Sequence, residues 1–291
     1  MANSTIVVGI DGSDSALRAA RWAATEAVHR SARLRLCCCD DASIVLAAGS
    51  PGVVLPQSFF DAVREQGERW LRRAGDVARE AAPGVRVETE FRSFAAPAPV
   101  LIEESRRTSL ISLGHRGLGG FTGLLVGSVT ISVSAHAACP VAVIRGREEI
   151  RPDAPVVVGV DGPADSTAVL RFAFESAAHR GVPLRAVHAD PTPVTDEAPA
   201  RHLVDGRRPT ARAEEESLSE AIADLSERFP EVQVQRSAAV GEPASTLVEH
   251  SEHAQLVVVG ARGRGGFTGL LLGSTSQQLV HHASCPVVIA R

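Results

Sequence analysis

Two stretches of the chain, GHRGLGGFTGLLVGS at 114–128 and GARGRGGFTGLLLGS at 260–274, repeat one spacing, Gly-x2-Gly-x9-Gly-Ser. The glycines are Gly114, Gly117 and Gly127, then Gly260, Gly263 and Gly273, and the serines are Ser128 and Ser274. Glycine lets a backbone approach a ligand closely and turn its N–H groups onto anionic oxygens. A helix opening at the serine adds unpaired N–H groups and a favourable dipole. The chemistry on offer is phosphate binding. Asp11 and Asp161, preceded by Gly9 and Gly159, follow the first apolar run of each half and give each stretch an acidic counterpart. A plainer reading of the glycines, a tight strand-to-helix passage without ligand, stays open beside it.

All 30 positive side chains are Arg, and the chain has neither Lys nor Tyr. A lysine on terminal phosphates and a Schiff-base lysine are both excluded, so a phosphate cradle must use backbone donors and arginine. Arg116 and Arg262 precede the second glycine of each stretch, where they either add charge or lie in solvent. No Ser-His-Asp or Cys-His set falls beside the glycines, and the 10 His lack zinc-ligand spacing. DGSDSA at 11–16 is similar to the pyrophosphate loop of ATP-cleaving amidating enzymes but lacks its paired glycines. Cys37, Cys38 and Cys39 are consecutive, which on a strand puts Cys37 and Cys39 on one face and Cys38 on the other. With no Cys-x2-Cys pair among five cysteines, packed thiols and a reducing cytoplasm are expected. A net charge of −4 offers no basic face for nucleic acid or anionic lipid, and no stretch reaches the roughly 20 apolar residues of a membrane helix.

The elements that position these residues also come twice. Residues 4–30 align with 154–180, and 18 of the 32 positions in 114–145 are identical in 260–291, so the chain is a duplication. The expected division is a first domain at 1–146, a charged linker at 147–154 and a second domain at 155–291. Each half alternates short β-branched runs (TIVVGI, LISLG, VAVI; PVVVGV, LVVVG, VVIA) with amphipathic helical stretches, the pattern of a doubly wound parallel sheet. Asp14 or Ser15, and Asp165 or Ser166, supply N-cap chemistry for the first helices. In such a sheet ligands bind beyond the carboxyl ends of the strands at the switch point. Asp11 and Asp161 fall at the end of strand one, and the glycine stretches begin at the end of strand four. The apolar fifth strands need cover, so the two domains are expected to pack through them as an intramolecular pseudo-dimer, with homodimer formation a further expectation.

VVGIDGS at a strand end, the Gly-x2-Gly-x9-Gly-Ser spacing and CPVVI as the last strand resemble the universal stress protein family, and the duplication is similar to its tandem two-domain members. The resemblance implies a five-stranded parallel sheet of order 3-2-1-4-5 with helices on both faces in each domain. It also implies ATP, with any Mg carried on the nucleotide, and a stress-response regulatory role with an unknown signalling partner. On this resemblance Asp11 and Asp161 sit by the ribose and any metal, and the backbone at Cys39 and Ala189 meets adenine. Ribose and phosphates fall to Gly9, Gly114, Arg116, Gly117, Gly119, Gly120, Gly127 and Ser128 in the first copy. In the second they fall to Gly159, Gly260, Arg262, Gly263, Gly265, Gly266, Gly273, Ser274 and Thr275. The first copy departs at His115 for Ala261 and Ala95 for Gly241. A nucleotide-holding regulator, at most a weak hydrolase, is the leading expectation; a slow Mg-dependent ATPase and a ligand-free structural adaptor are the alternatives.

Overall fold

A computed structural model describes residues 4–40, 56–118, 125–146, 151–160, 166–190, 211–262 and 272–291. The chain divides into two compact units, Met1–Gly146 with Pro286–Ile289, and Arg147–Cys285 with Ala290–Arg291.

The first unit runs β1 (Thr5–Gly9), α1 (Asp14–His29), β2 (Arg33–Cys39), α2 (Gln57–Ala81), β3 (Val87–Arg92), α3 (Pro97–Glu104), β4 (Leu110–Gly114), α4 (Ser128–His136) and β5 (Val141–Ile144). β1, β4 and β5 are buried along nearly their whole length, as strands covered on both faces must be. All pairings among these five strands are parallel and give the order β3-β2-β1-β4-β5, with Gly9 opposite Cys37, Val7 opposite Ile111 and Leu113 opposite Val143.

Alternation along β4 assigns the helices to faces. The Ser112 hydroxyl donates to the Ala19 carbonyl of α1, whereas Leu113 lies with Leu101 of α3 around Gly9. Neighbouring strand residues point to opposite faces, so α1 and α3 cover opposite sides. α2 packs beside α1, and α4 beside α3. α1 approaches the sheet closely because its inner stripe, including Ala19, Ala20, Ala23 and Ala27, is small and buried. α2 buries Gly67, Leu71, Ala74 and Ala78 at helical spacing and turns ion pairs such as Arg64–Glu68 outward.

The second half of the chain repeats the plan with β6 (Val156–Gly159), α5 (Ser166–Arg180), β7 (Leu184–Asp190), α6 (Ala211–Arg228), β8 (Val234–Val240), α7 (Pro243–Ser251), β9 (Leu256–Gly260), α8 (Ser274–His282) and β10 (Val287–Ala290). Parallel pairing orders β8-β7-β6-β9, and β10 follows β9. Here too the helices pair, α5 with α6 and α7 with α8. The fold is therefore the tandem doubly wound α/β class that the sequence pattern predicts. Among the described residues, no helix is long and apolar enough to cross a membrane.

Candidate functional site

At the end of β1, Gly12 takes φ +86° and turns the chain, and a Cβ there would strike the Trp70 ring of α2. The turn delivers Ser13 to extended dihedrals (φ −70°, ψ 154°), where its Oγ accepts the Ala16 N–H at 3.1 Å and caps α1. The cap is thus Ser13 and not Asp14 or Ser15. The sequence hides this because the deciding feature is the left-handed glycine just before it. In the second unit Asp165 lies outside the described residues, and Ser166 is the first residue of α5.

Asp11 links this turn to the glycine-rich stretch. Its Oδ1 accepts the Ser13 N–H at 3.0 Å and the Ser13 hydroxyl at 2.7 Å, and its Oδ2 accepts the Leu118 N–H at 3.0 Å. The carboxylate is an Asx-type turn acceptor and a clasp on the facing loop at once. Gly117 makes the clasp fit, since a Cβ there would come within 3.0 Å of Asp11 Oδ2.

The start of the glycine stretch is built alike in both units. The Gly127 N–H donates to the His115 carbonyl and the Gly273 N–H to the Ala261 carbonyl, both at 2.8 Å. Hydroxyls in the first helical turn tie the helix back to the strand end, Thr130 to the Gly114 carbonyl at 2.8 Å and Ser276 to the Gly260 carbonyl at 2.5 Å. Gly127 (φ −73°, ψ 147°) and Gly273 (φ −68°, ψ 155°) are the N-caps of α4 and α8, and neither helix has a side-chain cap. Their first-turn N–H groups are left to be satisfied from outside the helix. Ser128 and Ser274 are exposed residues of the first turn and not caps.

The glycines differ in what demands them. A Cβ on Gly114 would fall within 3.0 Å of the Ser15 backbone, so β4 and α1 touch there. On Gly9 it would meet Leu113 of β4 and Leu101 of α3, and on Gly159 Leu247 of α7, which places both at packed helix–sheet contacts. On Gly127 it would meet, among the described residues, nothing nearer than the Gly117 nitrogen at 3.6 Å, an ordinary contact. Packing therefore requires Gly114 and Gly117 and leaves room at Gly127. Gly114→Ala is expected to destabilise the fold by about 1–3 kcal/mol, because the obstructing atoms are backbone. Gly260→Ala, whose Cβ would lie 3.2 Å from the Arg262 carbonyl, should cost less. Urea unfolding of the two variants checks the order, and equal losses would refute it.

His115 is half-buried, with Nδ1 at 3.1 Å from Ser15 Oγ and 3.3 Å from the Ile144 carbonyl. Burial pushes its pKa down, against the opposing pull of the Ile144 carbonyl, and Arg145, Arg18 and Arg116 push it further down. The imidazole is accordingly neutral at pH 7. Arg116 and Arg262 have exposed side chains. Cys39 is the last residue of β2, Ala189 lies in β7, and Thr275 is in the first turn of α8. Gly119, Gly120, Asp161, Gly263, Gly265 and Gly266 lie outside the described residues. Among the described residues no cluster of three His, Cys, Asp or Glu side chains could hold a metal ion.

The fold and the strand-to-helix passage, described in both units, have relatives. The sequence signature of the universal stress protein family matches residues 2–145 and again 154–291. The chain belongs to the universal stress protein family. A universal stress protein of Mycobacterium tuberculosis is 38% identical over 292 residues, which cover 98% of this chain and 96% of that protein. The crystal structure of a universal stress protein from Archaeoglobus fulgidus shares the fold over 100% of this chain and 99% of its own, with a TM-score of 0.73 at 18% identity. Another universal stress protein from that organism, solved in complex with dAMP, is 28% identical and covers 47% of this chain and 98% of its own, with a TM-score of 0.35.

Within this tandem universal stress protein, sequence reasoning brings Asp11, Gly114, Gly117, Gly127 and Ser128 to one place and misses their supports. Ser13, Ser15 and Trp70 shape the β1–α1 turn, and Thr130 and Ser276 anchor the helices. A signal for the last two was present: each copy has a hydroxyl residue 16 positions after its first glycine.

Proposed function

We propose that the chain is a nucleotide-holding regulatory protein of the stress response, binding ATP beyond the carboxyl ends of β1 and β4 and of β6 and β9. The observation that carries this reading is Gly127. The residue caps a helix without a side chain, no described residue fills the space its Cβ would take, and the uncapped N–H groups behind it suit phosphate oxygens. Gly273 has the same cap geometry in the second domain. Phosphates would be held by backbone donors at the start of α4 and α8, with Arg116 and Arg262 adding charge at the rim. Adenine would lie against the backbone at the ends of β2 and β7. The nucleotide would supply the anionic charge and any Mg, and Asp11 would meet that ion with a carboxylate already clasped by Ser13 and Leu118.

The same geometry argues for retention over turnover. Asp11 is engaged as an acceptor on both oxygens, and His115, the neutral imidazole nearest the loop, turns Nδ1 to Ser15 and the Ile144 carbonyl. With no lysine, and with both Asp11 oxygens already accepting hydrogen bonds, ATP hydrolysis should run far below the median enzyme turnover of about 10 s⁻¹. Nucleotide analysis of the purified protein and a phosphate-release assay test both halves of the reading. ATP recovered or bound without turnover is the expected result. Several turnovers per second would replace the regulator with an enzyme, and no binding to either domain would remove the nucleotide.

A further inference from the structure

We propose that Cys37 and Cys39 form a hydroperoxide-oxidisable dithiol at the edge of the first domain's crevice, closing to an intrastrand disulfide. Their side chains share one face of β2, and their Sγ atoms lie 3.9 Å apart. Two residues of a strand span about 6.6 Å, at the upper end of the 4.4–6.8 Å range of Cα separations that disulfides bridge, and the bridge also needs the two Cβ atoms drawn to about 3.5–4.5 Å. Cys39 ends the strand, so one partner has chain to yield. Cys38 points the other way, near Gly67 of α2 and Phe91, and takes no part.

The two thiols are not equivalent. Cys37 is buried and shares a thiol hydrogen bond with Cys39, which draws the Cys39 pKa down against the opposing push of burial, with Arg92 across the β3 register helping. The same bond and burial push Cys37 up, while burial first, and then the neighbouring Cys37, Asp11 and Asp40, push Cys38 up to about 12. Cys39 is half-exposed at the strand end, which makes it the attacking thiolate. It attacks one peroxide oxygen, the O–O bond breaks, and the leaving hydroxide (or alkoxide) takes up a proton, leaving Cys39 as the sulfenic acid. The Cys37 sulfur then attacks the Cys39 sulfur, the S–OH bond breaks, and the Cys37 proton leaves with hydroxide as water. Cys39 is oxidised by two electrons and the peroxide reduced by two, and an external dithiol reverses the bridge by exchange.

Closing the Sγ gap to about 2.05 Å must move the end of β2. The Cys37 carbonyl accepts the Ile10 N–H at 2.8 Å, one residue before Asp11, and the next residue, Asp40, holds Ala95 and Phe94 through its backbone and side-chain oxygens. The displacement therefore reaches the Asp11 clasp, and, on the nucleotide reading proposed above, it lowers affinity in the first domain. In β7 the register equivalents are Val187 and Ala189, so the second domain has no such pair.

The test treats the full chain with hydrogen peroxide and counts thiols before and after dithiothreitol. Wild type and Cys38→Ser should each lose the same two thiols reversibly. Cys37→Ser should instead accumulate dimedone-reactive sulfenic acid at Cys39, and Cys39→Ser should do neither. Thiols that stay reduced, or Cys37→Ser and Cys39→Ser variants that oxidise like wild type, would overturn the proposal. Calorimetric titration with ATP is run on the reduced and oxidised protein. Oxidation should remove or weaken the first site and spare the second. Reduced protein that binds no ATP at all would instead count against the nucleotide reading, and the thiol count would still decide the redox site.

Discussion

ATP added at about 100 times its Kd should raise the unfolding free energy by roughly 2.7 kcal/mol for each site it fills, and Gly127→Ala should abolish the first site's share. The variant separates ligand from fold because Gly127 is extended and not left-handed, and a Cβ there meets only ordinary contacts among the described residues. Nucleotide-free Gly127→Ala should lose no more than about 1 kcal/mol, the cost of alanine in place of glycine at an N-cap. Gly117→Ala cannot make this separation: its Cβ drives into Asp11 Oδ2 and opens the clasp on Leu118, so fold and binding fall together. Calorimetric unfolding with and without ATP, beside titration of both variants, gives the answer. If Gly127→Ala keeps wild-type affinity and shift, the glycine belongs to the strand-to-helix passage alone, and a wild-type chain with no ATP shift would end the nucleotide reading.

That distinction among glycines marks the limit of what the sequence makes legible. Strand cores such as TIVVG and LVVVG announce themselves because a doubly covered parallel strand must be apolar at every position. The repeated glycine spacing puts Gly114 and Gly127 at a strand end and a helix start, and both lie there. What spacing does not carry is which neighbour each missing Cβ would face. Gly114 yields to Ser15 and Gly117 to Asp11, and those contacts join residues about 100 positions apart through side-chain geometry. Asp11 reads from sequence as a ligand group, whereas the fold spends its lone pairs on Ser13 and Leu118 first. The N-cap of α1 escapes for a similar reason: the sequence offers Asp14 or Ser15, and the φ of Gly12 puts the cap at Ser13, ahead of both. Cys37 and Cys39 are the reverse case, since period-two alternation alone places their sulfurs together.

Phe174→Ala should destabilise the protein by about 3–5 kcal/mol, a large part of the roughly 5–15 kcal/mol that holds a domain folded. Phe174 is among the largest fully buried side chains, and its ring lies 5.9 Å from that of Phe229 at 32°, joining α5 to the segment just after α6. Alanine would remove most of the ring and leave a cavity between elements whose backbones are fixed by the sheet beneath them. The first domain carries Ala24 at the equivalent place in α1, also fully buried, so the fold accepts alanine there when its neighbours are built around it. In the single variant those neighbours, Leu170 and Ala177 on the same helix face and Phe229 beyond it, keep their sizes and cannot close the gap. Urea titration should show a lower midpoint with an unchanged slope, the sign of lost stability without a change in the surface exposed. A loss below about 1 kcal/mol would mean that α5 and α6 collapse onto the vacated volume, and that packing in the second domain is looser than its burial implies.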